Sequence, residues 1–192
     1  MALTLRPERP EDLAGARRVH ELAFPTHAEA RLVDALRDER AHVPELCLVA
    51  LRGDRVVGHV VFSRARLVPC GATSGADPAR GAAAPGQVPL LVLAPIAVAP
   101  EAQRAGIGSA LIREALRRAP AAAPGVPLIS LLGDPAYYGR FGFERAAPLG
   151  LRAPFEVPDA AWQALRLPAY PPPDRPRPEG VVVYAQSFSK LT

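Results

Sequence analysis

The stretch LLVLAPIAVAP-EAQRAGIGS-ALIREALRRA, residues 90–119, decides how the chain is read. An apolar run closes at Pro100, a short polar turn supplies Gly106 and Gly108, and a segment of helical period follows at once. That order predicts a strand, a glycine-bearing loop and a helix N-terminus. The first turn of a helix leaves backbone N–H groups without intrahelical partners, and the macrodipole adds positive potential there. Glycine at 106 and 108 removes the Cβ atoms that would hold an anion away from those amides. A loop of this kind suits a pyrophosphate.

Two common phosphate loops fit poorly. A Walker loop needs Gly-Lys-Ser/Thr, whereas Gly108 is followed by Ser109 and Ala110 with no lysine. A dinucleotide fingerprint needs a third glycine and, about twenty residues on, an acid for the ribose. Here Gly106-Ile107-Gly108 runs into Ser109, Ala110 and Leu111, and Ala/Pro-rich sequence stands where the acid belongs.

The segment Gln103-Arg104-Ala105-Gly106-Ile107-Gly108 resembles the Gln/Arg-x-x-Gly-x-Gly/Ala loop of the GNAT family of N-acetyltransferases. The preceding Ile96-Ala97-Val98-Ala99-Pro100-Glu101 is similar to that family's fourth strand and its Val-x-Pro-Glu turn. A second stretch supports the resemblance: Gly133-Asp134-Pro135-Ala136-Tyr137-Tyr138-Gly139-Arg140-Phe141-Gly142-Phe143. Its Asp-Pro pair reads locally as a helix N-cap and first position, Gly142 as the stop, and Phe143 as the start of the next strand. The same residues resemble the family's Tyr-x-x-x-Gly-Phe signature, and the full phrase resembles a YhbS-like bacterial subgroup. Glu29-Ala30-Arg31-Leu32-Val33-Asp34-Ala35-Leu36-Arg37 is similar to that subgroup as well. With two motifs in the right order and spacing, the chain is identified as a member of the family.

The resemblance implies an α/β (α+β) fold in which a mixed, mostly antiparallel twisted sheet is flanked by helices and its central strands are splayed. It implies acetyl-CoA as the acyl donor, with Ile96, Ala97, Val98, Gln103, Arg104, Ala105, Gly106, Ile107, Gly108, Ser109, Asp134 and Tyr137 as cofactor-binding residues. The main chain of Ile96, Ala97 and Val98 would polarise the thioester carbonyl, and Tyr138 would stand by the sulfur as the catalytic residue. A phenol with a pKa of about 10 protonates a thiolate of about 8.5 slightly uphill, so hydrogen-bonding the sulfur is the safer role. Asp134 is a helix cap or a proton relay. No acid lies within residues 90–99, which leaves water, Asp134, His27 or another group as the base. The implied reaction is direct acetyl transfer to a primary amine of a small molecule or a protein. The alternative is a catalytically silent CoA-binding sensor or interaction module.

Composition bounds the remainder. The chain has 192 residues, 49% of them hydrophobic, which suits one domain with a sizeable core. Cys47 and Cys70 show no metal or disulfide spacing, and His20, His27, His42 and His59 show no ligand spacing, so no metal is expected. No apolar leader follows Met1, and the longest apolar stretch, 88–99, is too short to span a membrane. A cytoplasmic protein with no membrane partner is expected. The net charge of +4 comes almost entirely from scattered arginines, an arrangement that suits an anionic cofactor and not a nucleic acid. A homodimer is left open.

In chain order, Leu3–Arg6 reads as a strand, and Pro10-Glu11-Asp12 opens a helix ended by Phe24-Pro25. A second helix is expected over 27–40, and the family places the joint between the two, Phe24 to His27, beside the acceptor. Strands at 46–51 and 56–62 flank a Gly53-Asp54 turn. His59 on the second reads first as a core or surface residue and not as a base. Residues 69–87 are rich in Gly, Ala and Pro and predict a mobile loop, either an insertion or a lid. Pro120 to Gly125 reads as a linker and 126–132 as a buried strand. Short extended pieces are expected at 149–152 and 154–157, a helical turn from Asp159 through Leu165, a Pro-rich loop at 167–179 and a final strand at 180–188. Phe155 and Trp162 are candidates for the acceptor-pocket wall.

Overall fold

A computed structural model of the chain describes residues 2–71 and 85–191. Of the loop expected at 69–87, residues 72–84 lie outside the described residues. The chain enters as strand β1 (Leu3–Pro7), crosses helices α1 (Leu13–Ala23) and α2 (Ala28–Asp38), and returns as β2 (Leu48–Arg52) and β3 (Arg55–Val68). Strand β4 (Val88–Val98), helix α3 (Ile107–Ala122) and strand β5 (Leu128–Leu132) follow. Helix α4 (Pro135–Tyr138) is a single turn, and four short strands close the chain: β6 (Glu144–Arg145), β7 (Leu151–Arg152), β8 (Trp162–Arg166) and β9 (Gly180–Val183). Among the described residues the nine strands form one sheet, ordered β1-β2-β3-β4-β5-β8-β6, with β9 pairing both β3 and β7. Only β4–β5 and β7–β9 are parallel. This is the mostly antiparallel mixed sheet flanked by helices that the resemblance implies.

The helices sort to opposite faces by residue size. A Cβ on Gly58 would stand 3.0 Å from Ile107 and 3.1 Å from Leu111, so the missing side chain lets α3 lie close on that face. Its buried residues Ile107, Leu111, Ile112, Ala115 and Ala119 recur at helical spacing. His59, one residue along β3, touches His20 of α1 on the other face, where Leu32, Val33 and Leu36 of α2 pack with Val61. Burial on both faces of β3 explains why Val56 to Phe62 are all buried and why His59 is the one polar side chain among them.

The face under α1 also buries charge. His20 Nε2 and His59 Nδ1 are 2.9 Å apart, and His59 Nε2 is 3.0 Å from Glu8 Oε2, although not aligned for a hydrogen bond. Arg37 of α2 donates to both Glu8 oxygens, at 3.2 and 2.7 Å. Burial works against the ionised Glu8, yet the paired Arg37 guanidinium and the adjoining His59 ring overcome it and hold the carboxyl at about 2. Burial pushes His20 down to about 3 and His59 down as well, so both imidazoles are neutral. With the Glu8 carboxylate facing His59 Nε2, the consistent tautomer has protonated Nε2 atoms on both rings, His20 Nε2–H donating to His59 Nδ1. Of the core and surface readings of His59, the structure takes the first.

Several boundaries differ from the sequence reading. Residues 162–166 are strand β8 and not a helical turn from Asp159, because the open edge of β5 accepts them in antiparallel register from Leu128–Arg166 to Leu132–Trp162. That edge outweighs the helical preference of Gln163, Ala164 and Leu165. The expected strand at 180–188 stops at Val183 and gives way to a 3₁₀ turn, Gln186–Leu191, against α2. Helix α3 continues through Pro120 to Ala122, since Ala123 N–H still donates to Ala119 and the partly buried Ala122 packs on the core. Residues 154–157 form a bend with no strand pairing, and Leu149 ends a 3₁₀ turn before β7.

Candidate active site

Strand β4 carries the site. It pairs with β3 along its length, but with β5 only at Leu91–Ile129 and Val92–Ser130. Beyond Val92 the two parallel strands part, and β5 continues its pairing with β8 alone. Opposite Val60–Phe62, β4 spends one more residue than β3, a bulge in the Leu93–Ile96 segment. Ala99 N–H donates to Val57 O at 2.9 Å, so strand alternation turns Ala97 toward β3 and leaves the main-chain groups of Ile96 and Val98 facing the opening. Gln103 Nε2 closes the loop onto the strand by donating to Val98 O at 3.1 Å.

One mouth of the opening is the first turn of α3. Arg104 and Gly106 hold φ of +59° and +79°, and Gly106 is the helix N-cap in the left-handed conformation. The N–H groups of Ile107, Gly108 and Ser109 have no intrahelical acceptor. A cleft of about 600 Å³ lies over them, lined by Ile96, Ala97, Val98, Gln103, Arg104, Gly106, Ile107, Gly108, Ser109, Tyr137 and Arg140. Arg104 and Arg140 are the charged residues among these, and no carboxylate joins them. Arg140 is fixed in place: its Nε donates to Tyr137 O at 3.0 Å, its guanidinium lies 4.4 Å from the Tyr137 ring centre, and its Nη2 is 3.4 Å from Ser109 Oγ. A Cβ on Gly108 would come within 2.8 Å of the Tyr137 hydroxyl, so glycine lets that phenol lie across the helix start. Free amides, two arginines and no acid fit a pyrophosphate.

The other side is apolar. A pocket of about 960 Å³ is lined by Phe24 and Leu32, by Val92–Ile96 and Leu131–Leu132 of the parted strands, by Tyr138 and Phe155, and by residues from Val181 to Ser189. Ile96 lines both spaces. The adjacent tyrosines divide between them, Tyr137 in the cleft and Tyr138 in the pocket, with ring centres 5.0 Å apart. A Cβ on Gly133 would sit 2.3 Å from the Tyr138 ring, so that glycine gives the phenol its place. Burial, with a smaller contribution from Tyr137, pushes the Tyr138 hydroxyl up to about 12.

Most of the residues singled out in the sequence converge here. Ala105 lies in the loop but does not line the cleft. Asp134 is exposed and caps α4, its Oδ1 accepting from Ala136 N–H at 2.9 Å, and it lines neither space. His27 is exposed, 4.0 Å from Glu21 and outside both spaces. Phe24 and Phe155 line the apolar pocket, the latter 50% exposed, whereas Trp162 is core. Three residues escaped the sequence reading: Arg140, Gly133 and Glu29. Arg140 and Gly133 lie within the second motif. Glu29 opens the α2 stretch that carries part of the resemblance, but nothing there marks it for a pocket, because only the fold brings α2 to β4.

The sheet, its parted strands and the anion cleft define a class of acyl-transfer proteins, and the comparisons agree. The profile of the Acetyltransferase (GNAT) family matches residues 16–143. The chain is 33% identical over 167 residues to YjhQ of Escherichia coli K12, described as an uncharacterized N-acetyltransferase, covering 83% of this chain and 82% of that one. The crystal structure of the GNAT family N-acetyltransferase YhbS of Escherichia coli in complex with CoA superposes with a TM-score of 0.75 at 27% identity, over 97% of this chain and 92% of the other. A GNAT family acetyltransferase of Brucella melitensis in complex with acetyl-CoA gives 0.67 at 32% identity, over 97% and 98%. The chain belongs to the GNAT family of acetyltransferases. No helix among the described residues is long and apolar enough to cross a membrane.

Proposed function

We propose that the protein transfers an acetyl group from acetyl-CoA directly to a primary amine. The observation that carries this reading is the continuity at Ile96 between an anion cleft and an apolar pocket opened by the parting of β4 and β5. The amides of Ile107, Gly108 and Ser109, with Arg104 and Arg140, would hold the pyrophosphate. Acetyl-CoA supplies a thioester, so transfer forms an amide C–N bond, breaks the C–S bond and moves one proton from nitrogen to sulfur. The main-chain groups of Ile96 and Val98 face the opening, where an N–H can polarise the carbonyl. Tyr138 stays protonated at neutral pH and donates a hydrogen bond to the departing sulfur. The apolar walls exclude water, which would otherwise compete with the amine.

The test is a calorimetric titration with acetyl-CoA, with NAD as control, followed by assay of CoA release in the presence of amines. Micromolar binding of acetyl-CoA, none of NAD, and amine-dependent release support the reading. Binding without release by any amine would mark a CoA-binding sensor, and no binding would remove the transferase.

A further inference from the structure

We propose that Glu29 anchors the amino group of the acceptor, and that the acceptor is a primary amine carried on an apolar alkyl or aryl body. This rests on the acetyl-transfer reading above. Among the described residues that line the apolar pocket, Glu29 is the one charged side chain. The rest of the wall is Phe24, Leu32, Ile96, Leu132, Phe155 and their neighbours, with few polar atoms. One carboxylate oxygen, Oε2, is buried and has no hydrogen-bond partner.

An unpaired buried carboxylate oxygen is expensive, so its retention here points to a donor that arrives with a ligand. The chemistry fixes the kind of donor. No arginine or lysine among the described residues lines this pocket, and the two arginines of the site face the other cleft. An ammonium or amine N–H pairs with the Glu29 carboxylate, and a small side-chain movement brings it to Oε2, which is closed to solvent as the side chain stands. A ligand carboxylate would meet only like charge and no cation. Negative charge at the start of α2 is also placed well for the helix dipole. The size and apolar wall of the pocket then select the body that carries the amine. An amino acid with a free carboxylate fits poorly, and a simple apolar amine fits well.

The experiment titrates 2-phenylethylamine, and 3-phenylpropionate as its charge-reversed counterpart, into the full chain in excess CoA by calorimetry. Wild type, Glu29→Gln and Glu29→Asp are compared, and acetyl-CoA is titrated into each. The expected result is that the amine binds wild type, at least tenfold more weakly to Glu29→Gln, and with intermediate strength to Glu29→Asp. The propionate binds wild type poorly and gains in Glu29→Gln. Equal acetyl-CoA affinity in all three shows that the variants are folded. Should Glu29→Gln hold the amine as tightly as wild type, the anchor is overturned. Should wild type bind the propionate as well as the amine, or the amine not at all, the acceptor class is overturned. Failure of acetyl-CoA to bind wild type, with Glu29-dependent amine binding intact, would remove the transferase reading and leave the amine site standing.

Discussion

At Tyr138 the phenol stands in apolar surroundings that push its pKa up to about 12, far above a thiol at about 8.5. It cannot surrender its proton to the leaving sulfur cheaply, but it remains a donor across the neutral range. On the proposed mechanism, replacing it with Phe removes one hydrogen bond made to developing charge. Tyr138→Phe is therefore expected to lower kcat about tenfold to a hundredfold. Acetyl-CoA affinity by calorimetry should stay within about twofold of wild type, since the phenol lies outside the anion cleft. Unchanged kcat would take Tyr138 out of the chemistry. Gly108 makes the complementary case. Any Cβ there collides with the Tyr137 hydroxyl, which must then move and take the stacked Arg140 with it. Gly108→Val should weaken acetyl-CoA by more than about tenfold, roughly 1.4 kcal/mol, while the far-UV spectrum is unchanged. Retention of full affinity would mean that the cleft tolerates a bulkier helix start.

The element that sets both tyrosines is α4, four residues long and dependent on its Asp134 cap. A single turn has little helical stability of its own, so the cap weighs heavily. Asp134→Ala should cost about 1 kcal/mol, or about 2–4 °C in melting temperature for a chain of this size. Asp134→Ser keeps a capping oxygen and should restore both stability and turnover. A Ser variant that melts like wild type but loses turnover would make Asp134 a proton carrier. This cap and the strand–loop–helix around Gly106 were legible in the sequence because both are local: residue type and spacing over ten positions settle them. The β8 strand was not, because Trp162-Gln163-Ala164-Leu165 has a helical composition and only the vacant edge of β5 makes it extended. Helix α3 ran past Pro120 for a similar reason, its last turn being held by packing. Arg140 and Glu29 were missed on the same ground. Both lie in stretches that carry the resemblance, but their roles come from which surfaces the fold brings together.

Across the whole molecule, the buried cluster of Glu8, His20, His59 and Arg37 joins β3 and both N-terminal helices to the segment following β1, and it ties stability to pH. Glu8 falls from 4.5 to about 2 on folding, and His20 falls from 6.5 to about 3. Both folded pKa values are depressed, so the unfolded chain binds more protons wherever the folded groups resist them. The cluster contributes fully above about pH 6.5. As pH falls, His20 and His59 protonate first in the unfolded chain, and Glu8 follows below about 4.5. Each group can add a slope of up to about 1.4 kcal/mol per pH unit within its window. Urea unfolding should therefore show stability level near pH 7.5, declining from about pH 6.5 and steepening below about 4.5. His20→Gln removes one titrating ring and should flatten the decline between about pH 6.5 and 4.5, even though its stability at pH 7.5 is lower. Glu8→Gln should instead spare that upper limb and reduce the steepening below it. Should His20→Gln track wild type in slope across the upper limb, His20 is not held neutral in the fold, and the decline there comes from His59 and the other titrating groups.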